Sequence, residues 1–596
     1  MRLGKRQSGI GLVVAAWVLL GAPLPAQPVP KPAGADFALA ERDERYLELG
    51  LGQLRRLEKS IHRLDEQRLG AGALAAAALA SQGGTEAPAH RSDAVRWATA
   101  ALGSCGQHWA RNNCERTQIA LQRLALQYPE VLPAELRQRL RAKTAEAAPP
   151  PPEAVIADPW DFRETENQRI VRTAASVVGH ALAGTSGSPA GKAWARYAEA
   201  FLQAHEREGW YEAESPGYIA ISITALLHLA DHAPQPAVRK KAARQLDLLL
   251  ADWAQKQVEG FPAGVKSRTY VHWALGARNT PWQAWAWLLA GMGEPGRISF
   301  MDWPELATAR YRTPAAVPRL LADRRKQPPY EILARRQIRP GKRQGLDTAL
   351  YSYATPDYIL GTAQSVAGLG LTVSGGQEIM ATLFAECHDF APLYLWSRNR
   401  NPRADRWKSW AGHDAAVGWK NLVLARLGSG KETTGHAYLA PPWSAPEAVG
   451  DDVVVSRCGD TYVALVTSGG WDVGPAQKRF AEYYAGDRNF AGSWAAVPRR
   501  QPAAIALEVG RRSEVGDFEK WKTRAAKARL IVEEGELRFA ASDGTPFTFL
   551  PGEKATVGGR PLDPRGYPRL AGPFLSSPSP GTWTLSPGES QGGPQE

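Results

Sequence analysis

The spacing of apolar residues changes once along this chain, near residue 345, and that change restricts the fold more than any other feature. Before it, apolar residues recur every three or four positions, as in the segments that start at Tyr46 and Glu166. That period is typical of amphipathic helices. After it, the segments are short, often alternate and are punctuated by Gly, Pro and Asp, as in 451–470 and 528–550, which is typical of antiparallel strands. We therefore predict an α+β multidomain protein.

The predicted helical domain covers residues 36–335. Its amphipathic segments end in Gly, Pro or polar residues, so we expect stacked antiparallel helix pairs arranged as a bundle, a solenoid or a closed toroid. A proline-rich loop near 149–152 interrupts them, because prolines break a helix interior. The basic stretch 324–343 marks the domain boundary, and we interpret it as a solvated linker rather than a ligand-binding patch. An antiparallel β-sandwich is predicted over 345–585, followed by a disordered tail over 586–596.

The first 26 residues have the features of a secretory signal. Arg2, Lys5 and Arg6 precede a short apolar run, Ile10–Ala22, and small residues follow it. The run is shorter than the roughly 20 residues of a spanning helix. We therefore expect cleavage after Ala26, no membrane span in the mature protein and a periplasmic or secreted location.

The formal net charge is +12. In an exported protein, a positive cleft favours an acidic polysaccharide as partner over nucleic acid, because it attracts a polyanion. A basic surface without such a purpose is the open alternative.

The chain has four cysteines, too few for a disulfide-built scaffold. Cys105 and Cys114 lie nine residues apart between two helical patterns, and we predict a bridge between them in an oxidising compartment. Cys387 and Cys458 could pair or stay free. No Cys/His cluster has the spacing of a structural zinc site. We predict no cofactor, and a structural metal in the β domain stays open.

Polar and aromatic residues are concentrated in four segments at predicted helix starts or loops, where sites are usually built. These segments are 160–169, 209–218, 264–273 and 351–358. Within them and just beyond, the sequences ENQ (166–168), YEAESPGY (211–218), SRTY (267–270) and TPDYILGTAQ (355–364) resemble a bacterial subgroup of the heparinase II/III-like polysaccharide lyases. The likeness covers roughly residues 155–430. It implies an α/α toroid followed by a β-sandwich, and β-elimination at a uronic acid as the reaction.

By this resemblance an amide neutralises the C5 carboxylate, a Tyr or His removes the C5 proton, and a Tyr protonates the leaving oxygen. Asn167 stands at the neutralising position, and Tyr218 follows it by 51 residues (218−167), close to the family spacing. Gln168 stands where the family has His, and Gln cannot take a proton. Tyr270 and His413 are alternative acid/base groups, which completes the predicted catalytic set.

The predicted substrate-binding residues are Glu166, Trp210, Glu212, Arg268 and Tyr353. Free Tyr has a pKa near 10, so a phenol acting as a base needs a cation nearby, and Arg268 is the candidate. No metal ligand is predicted.

Two other functions stay open. A glycoside hydrolase on an α/α toroid needs two carboxylates that flank the scissile bond, and Glu166 and Glu212 are possible partners. A non-catalytic glycan-binding or envelope protein is favoured by Gln168 in place of His. Each candidate also has a structural interpretation, such as helix capping for Asn167 or packing for Tyr218.

Overall fold

A computed structural model describes most of the chain after residue 39. The described ranges are 40–60, 64–105, 112–145, 148–160, 165–267, 280–301, 303–337, 347–369, 378–387, 391–399, 414–428, 433–479, 491–579 and 581–586. The predicted signal peptide and residues 587–596 of the predicted tail lie outside these ranges. Within them, no helix combines the length and the apolar character needed to cross a bilayer.

The predicted order of a helical part followed by antiparallel sheets is confirmed. The described helices are α1 (Glu41–Ser60), α2 (Glu66–Ser81), α3 (Ala87–Cys105), α4 (Asn112–Gln127), α5 (Ala134–Thr144), α6 (Glu153–Ala157), α7 (Glu166–Leu182), α8 (Pro189–Glu208), α9 (Tyr218–His232), α10 (Pro236–Gln255), α11 (Pro281–Ala290), α12 (Ala316–Asp323), α13 (Ala476–Arg479), α14 (Arg512–Val515) and α15 (Phe518–Ala525). The first twelve precede the large sheets, and the last three are short helices between strands.

Helix boundaries follow local sequence. Ser188 caps α8 and Pro189 is its first residue, while α10 begins at Pro236. Pro suits the first helical turn because its φ is already helical and its missing N–H would be unpaired there anyway. Helix α8 stops at Gly209, whose φ of +79° favours glycine. This stop starts the segment 209–217, which leads into α9.

The helices close into a ring, which decides between the three arrangements left open by the sequence. Helix α1 packs against α2 and also against α11, and α11 packs against α12, which packs against α10. Hydrogen bonds join the two ends: Arg42 donates to the carbonyls of Leu288 and Leu289 at 3.3 and 3.2 Å, and the Tyr46 hydroxyl donates to the Trp303 carbonyl at 3.1 Å. The helical part is therefore toroid-like.

Three neighbouring helices of this ring, α4, α7 and α9, run parallel and in register. The Gln122 amide donates to the Ala175 carbonyl at 2.9 Å, and its oxygen lies 2.8 Å from His228 Nε2. These residues lie ten, nine and ten positions after the first residues of their helices (122−112, 175−166, 228−218).

Second contacts fix the directions of these helices. Arg172 donates to Glu115 at 2.7 Å in the first half of both α7 and α4. The N–H of Asn167 at the start of α7 bonds the side chain of Glu212, six residues before α9 begins (218−212), so the N-terminal ends of α7 and α9 lie at the same end of the ring.

Within the described ranges, the strands form three larger antiparallel sheets and two small pairings. The strands are β1 (Gln257–Val258), β2 (Phe261–Pro262), β3 (Lys266–Ser267), β4 (Tyr330–Gln337), β5 (Asp347–Ala354), β6 (Tyr358–Gln364), β7 (Glu378–Ile379), β8 (Ala381–Ala385), β9 (Ala391–Asn399), β10 (Ala415–Trp419), β11 (Leu422–Leu427), β12 (Thr433–Leu439), β13 (Glu447–Ala448), β14 (Val453–Cys458), β15 (Thr461–Val466), β16 (Trp471–Pro475), β17 (Trp494–Pro498), β18 (Ala503–Arg511), β19 (Arg529–Glu533), β20 (Glu536–Ala540), β21 (Pro546–Leu550), β22 (Lys554–Val557), β23 (Arg560–Leu562), β24 (Leu570–Ala571), β25 (Leu575–Ser577) and β26 (Thr584–Leu585). The large sheet has the order β16-β17-β12-β9-β8-β6-β5-β4-β24-β25-β26, the central sheet β10-β11-β18-β15-β14-β13, and the outer sheet β19 to β23 in sequence.

The predicted sandwich continues into a third layer, because the central sheet is apolar on both faces. On β15, Val463 and Leu465 belong to the core shared with the large sheet, while Tyr462 and Ala464 belong to the core shared with the outer sheet. Successive strand residues point to opposite faces. A strand with apolar residues at every position is therefore buried on both sides.

The helical part contributes directly to the other face of the large sheet. The β1–β2 hairpin follows α10, and its Phe261 ring lies 5.6 Å from the Phe384 ring of β8. Nearby, Gly361 of β6 meets the backbone of Gly264, where a Cβ added to Gly361 would lie 2.5 Å from the Gly264 Cα. These contacts fix the segment that leads into β3.

The basic stretch 324–343 is not a solvated linker throughout, which corrects its sequence interpretation. Its residues 330–337 form β4, and Arg324 and Arg336 are buried. Arg324 forms an ion pair with Glu386, and burial raises the pKa of that carboxyl to about 7. Each buried guanidinium has a buried carboxylate beside it, a pairing that a charge count cannot reveal.

The cysteine predictions are partly wrong. Cys114 is a buried free cysteine, so the predicted bridge to Cys105 is absent; the Cys105 side chain lies outside the described part. The thiol of Cys114 belongs to the buried side of α4 rather than to a loop. Cys387 and Cys458, left open by the sequence, form a disulfide with a Cα–Cα distance of 6.0 Å.

Candidate functional site

The candidate site is built where the segment 209–217 meets the start of α7. Glu166, the first residue of α7, is fully buried. Its Oε1 accepts the N–H of Tyr211 at 3.2 Å and its Oε2 accepts the N–H of Glu212 at 2.9 Å. The Glu166 carboxylate therefore holds the segment rather than facing solvent.

Side chains of the segment 209–217 in turn hydrogen-bond the first N–H groups of α7. A Glu212 carboxylate oxygen accepts the N–H of Asn167 at 2.9 Å, and the Tyr211 hydroxyl oxygen accepts the N–H of Glu166 at 2.6 Å. The first N–H groups of a helix have no partner within the helix. Two of them are satisfied here by side chains 45 residues away. We call this reciprocal arrangement of Glu166, Asn167, Tyr211 and Glu212 the clasp.

His205 of α8 hydrogen-bonds the clasp at Glu166. Its Nε2 lies 2.7 Å from Oε1 of Glu166, and its Nδ1 lies 2.8 Å from the Phe201 carbonyl oxygen. The ring is buried and packs against three aromatic side chains, with centroid distances of 4.4 Å to Trp160, 4.0 Å to Phe201 and 4.2 Å to Trp210. Among the described residues, the Phe201 carbonyl and Glu166 are the groups that hydrogen-bond the imidazole.

Asn167 and Tyr218 occupy the same end of neighbouring parallel helices. Asn167 is the second residue of α7 and is 5% exposed, and its side-chain oxygen accepts the Thr165 hydroxyl at 2.6 Å. Tyr218 is the first residue of α9 and is partly exposed, as is Gln168. The amide and the phenol expected from the sequence are thus brought to one end of the ring.

A buried group of charges lies beneath the segment and joins it to the large sheet. Lys256 Nζ lies 2.8 Å from Glu214 and 3.0 Å from Asp252, and Arg336 of β4 lies 3.0 Å from Asp252. Two cations and two carboxylates balance one another in this group. Burial is tolerated because each charge has an opposite partner.

Lys266 of β3 lies next to this group, but no carboxylate among the described residues forms an ion pair with it. Its Nζ donates to the carbonyls of Ala263 and Val265 at 3.1 Å each. The adjacent Ser267 N–H donates to the Glu214 carbonyl at 3.1 Å, which ties β3 to the segment. Burial lowers the pKa of Lys266 to about 7, although the Glu214 charge opposes the shift.

This shift predicts a pH-dependent stability. The folded-state pKa of Lys266 is below its unfolded value of 10.5, so between about pH 7 and 10 the unfolded chain binds the proton that the folded one does not. The unfolding free energy should then rise with pH in that window, by up to about 1.4 kcal/mol per pH unit. Denaturant titrations at pH 7, 8 and 9 of wild type and Lys266→Met measure the difference. The variant should lose this component of the slope, and equal slopes would contradict the prediction.

Of the remaining predicted residues, the structure describes Trp210 and Tyr353 and does not describe the other three. Trp210 is buried, packs on His205 and donates from Nε1 to the Gln245 side chain at 2.8 Å, so it belongs to the support of the clasp. Tyr353 of β5 is partly exposed beside Arg511 and Glu514, and the structure does not bring it to the segment 209–217. Arg268, Tyr270 and His413 lie outside the described residues and stay predictions.

Sequence reasoning missed His205, Asp252, Lys256 and Arg336. His205 is followed by Glu, Arg and Glu in HEREG, which reads as the exposed end of an amphipathic helix. Lys256 and Asp252 are spaced i, i+4, a common surface ion pair. Only the positions of α8, of the end of α10 and of β4 in the fold identify these side chains as buried. Among the described residues, no group of three or more His, Cys, Asp or Glu side chains could hold a metal ion.

No protein-family model and no curated protein matches this chain. Among solved structures, it is similar to a chondroitin AC lyase of Streptomyces coelicolor A3, at 12% identity over 88% of this chain and 87% of that one, with a TM-score of 0.43. It is also similar to a Paenibacillus xanthan lyase, at 10% identity over 89% and 64% of the two chains, with a TM-score of 0.41. These values are too low to assign a reaction or a substrate to this chain.

Proposed function

We propose that this protein is an exported polysaccharide lyase of the heparinase II/III-like kind, which cleaves a uronate-containing polysaccharide by β-elimination. The observation that supports it is the in-register, parallel packing of α7 and α9. This packing carries Asn167 and Tyr218, an amide and a phenol 51 residues apart in sequence, to the same end of the ring.

In this reaction the Asn167 amide hydrogen-bonds the C5 carboxylate of the uronate and reduces its negative charge. The C5–H bond then breaks, the proton goes to the base, and its electron pair forms the C4–C5 double bond. The C4–O bond breaks in turn, and the leaving oxygen takes a proton. Tyr218 is the proposed proton carrier, and its phenolate form is needed if it is the base. General acid–base groups contribute about 10²- to 10⁴-fold to such steps.

The proposal gives the clasp a positioning role. The Glu166 and Glu212 carboxylates are fully buried and both accept backbone N–H groups. Two carboxylates engaged in this way give little support to a glycoside hydrolase, because a hydrolase needs carboxyl groups that reach the glycosidic oxygen and the anomeric carbon.

Charge and redox chemistry support the choice of substrate and compartment. The net charge of +12 favours a polyanionic glycan, since the field of a basic protein concentrates a polyanion. The Cys387–Cys458 disulfide is of a type that persists mainly in oxidising compartments, which supports export.

The test is an elimination assay on a panel of acidic polysaccharides that contain glucuronate, iduronate, mannuronate or guluronate. We expect at least one to yield products with ultraviolet absorbance from the new C4–C5 double bond. New reducing ends without that absorbance would favour a hydrolase. Binding without turnover across the panel would favour a non-catalytic glycan-binding protein.

A further inference from the structure

His205 is a buried histidine to which neither the sequence analysis nor the proposed reaction gives a role. It is fully buried and lies on α8, a helix that carries none of the proposed reacting groups. Two short hydrogen bonds, 2.8 Å to the Phe201 carbonyl and 2.7 Å to Glu166, fix both ring nitrogens. Nδ1 must donate to Phe201, because a carbonyl oxygen only accepts. The ring orientation is therefore determined.

We propose that His205 is a positioning residue that acts through Glu166 to set the geometry of Asn167 and Tyr218. This inference rests on the proposed function. One proton lies in the hydrogen bond between His205 Nε2 and Glu166 Oε1, and it keeps the carboxyl group turned towards the N–H groups of Tyr211 and Glu212.

The clasp passes this constraint to Asn167. Once the Glu166 carboxylate fixes the N–H of Glu212, the Glu212 carboxylate is in place to accept the N–H of Asn167 at 2.9 Å. The backbone of Asn167 is thereby held at both sides, by the helix that follows it and by a side chain from the segment 209–217.

The same constraint reaches Tyr218 through the segment. The segment continues from the clasp to Ser215, whose carbonyl accepts the N–H of Ile219 at 3.1 Å in the first turn of α9. Tyr218 follows Gly217 directly at the start of that helix. A shift of the segment therefore moves the phenol and the amide relative to each other. Misplacement of reacting groups by about 1 Å can cost on the order of 100-fold in rate.

The test compares two substitutions of the full-length protein with a matched control. His205→Phe packs against the same aromatic rings but offers no donor, whereas His205→Gln keeps a donor that reaches Glu166. His436→Phe is the control, because His436 of β12 is equally buried, bonds the Thr434 carbonyl through Nδ1 and packs on Trp396, away from the clasp and from the contacts between α4, α7 and α9. Hydrogen exchange at the N–H groups of Asn167, Tyr211 and Glu212 is measured in all three, together with kcat and KM for elimination.

We expect His205→Phe to raise exchange at these three N–H groups by about tenfold or more, and to lower kcat by about 100-fold with KM within about twofold. His205→Gln should recover at least about tenfold of the lost kcat, and His436→Phe should leave the exchange of the clasp unchanged. Unchanged exchange in His205→Phe, or an equal effect of His436→Phe on the clasp, would overturn the inference. If the wild-type protein eliminates no polysaccharide, the proposed function fails by itself, and the exchange data still decide whether His205 anchors the clasp.

Discussion

Tyr218→Phe is expected to lower kcat for elimination by about 10³-fold, because it removes the hydroxyl that carries the proton and keeps the ring. This loss lies within the range that positioned proton transfer contributes. Tyr218 is partly exposed at the first position of α9, so removing one hydroxyl should leave the fold intact. Steady-state kinetics on the polysaccharide that wild type cleaves fastest, with thermal unfolding measured in parallel, would check both expectations.

The control for this substitution is Tyr462→Phe. Tyr462 is a buried residue of β15 in the core shared by the central and outer sheets, away from the candidate site. The Tyr462→Phe substitution should leave kcat within about twofold of wild type, as expected for a change remote from the reacting groups. A Tyr218→Phe protein with wild-type kcat would remove this residue from the mechanism and leave Tyr270 and His413 as the remaining proposals.

Loss of the Cys387–Cys458 disulfide is expected to lower the unfolding free energy by about 4 kcal/mol. The bridge joins the end of β8 in the large sheet to the end of β14 in the central sheet, and its cysteines are 71 residues apart. Closing a loop of that length restricts the unfolded chain substantially, and the entropy of that restriction grows with loop length. Chemical denaturation of the Cys387→Ser/Cys458→Ser double variant, followed by the signal of the strands, measures the loss.

Denaturation of the wild-type protein and of the double variant with and without reductant is the matched comparison. Reductant should lower the stability of the wild-type protein towards that of the double variant and leave the double variant unchanged. Cys114 is a buried free cysteine, so Cys114→Ala separates an effect of reductant on the disulfide from an effect on the remaining thiol. A wild-type protein whose stability does not respond to reductant under denaturing conditions would contradict the prediction.

Local sequence was enough for the class of the fold. The three- to four-residue period of segments such as Glu166–Leu182 and the apolar alternation of segments such as Pro546–Leu550 arise from the geometry of single helices and strands. The order of a helical part and an antiparallel β part follows from those periods. Ring closure does not, because it depends on contacts such as that between Arg42 and the Leu288 carbonyl, which are 246 residues apart.

The candidate site shows the same division. The concentration of polar residues near helix starts directed attention to the segments of Glu166, Asn167, Glu212 and Tyr218, and the family resemblance assigned roles to Asn167 and Tyr218. The sequence could not say that the two carboxylates turn inward to accept N–H groups across a gap of 45 residues. The sequence also did not identify His205 as a candidate, because HEREG resembles a solvent-exposed helix end.

The amino-acid sequence alone determined which segments are helices and strands, where several of them begin and end, and which polar residues collect at helix starts. Each of these depends on interactions between residues a few positions apart. The tertiary structure alone decided that the helices close into a ring, that Cys387 pairs with Cys458, that Glu166 and His205 form a buried pair and that Asn167 and Tyr218 share one end. These outcomes depend on packing between segments that are far apart in sequence. Burial by that packing also determines whether a carboxylate or an imidazole faces solvent or hydrogen-bonds its neighbours.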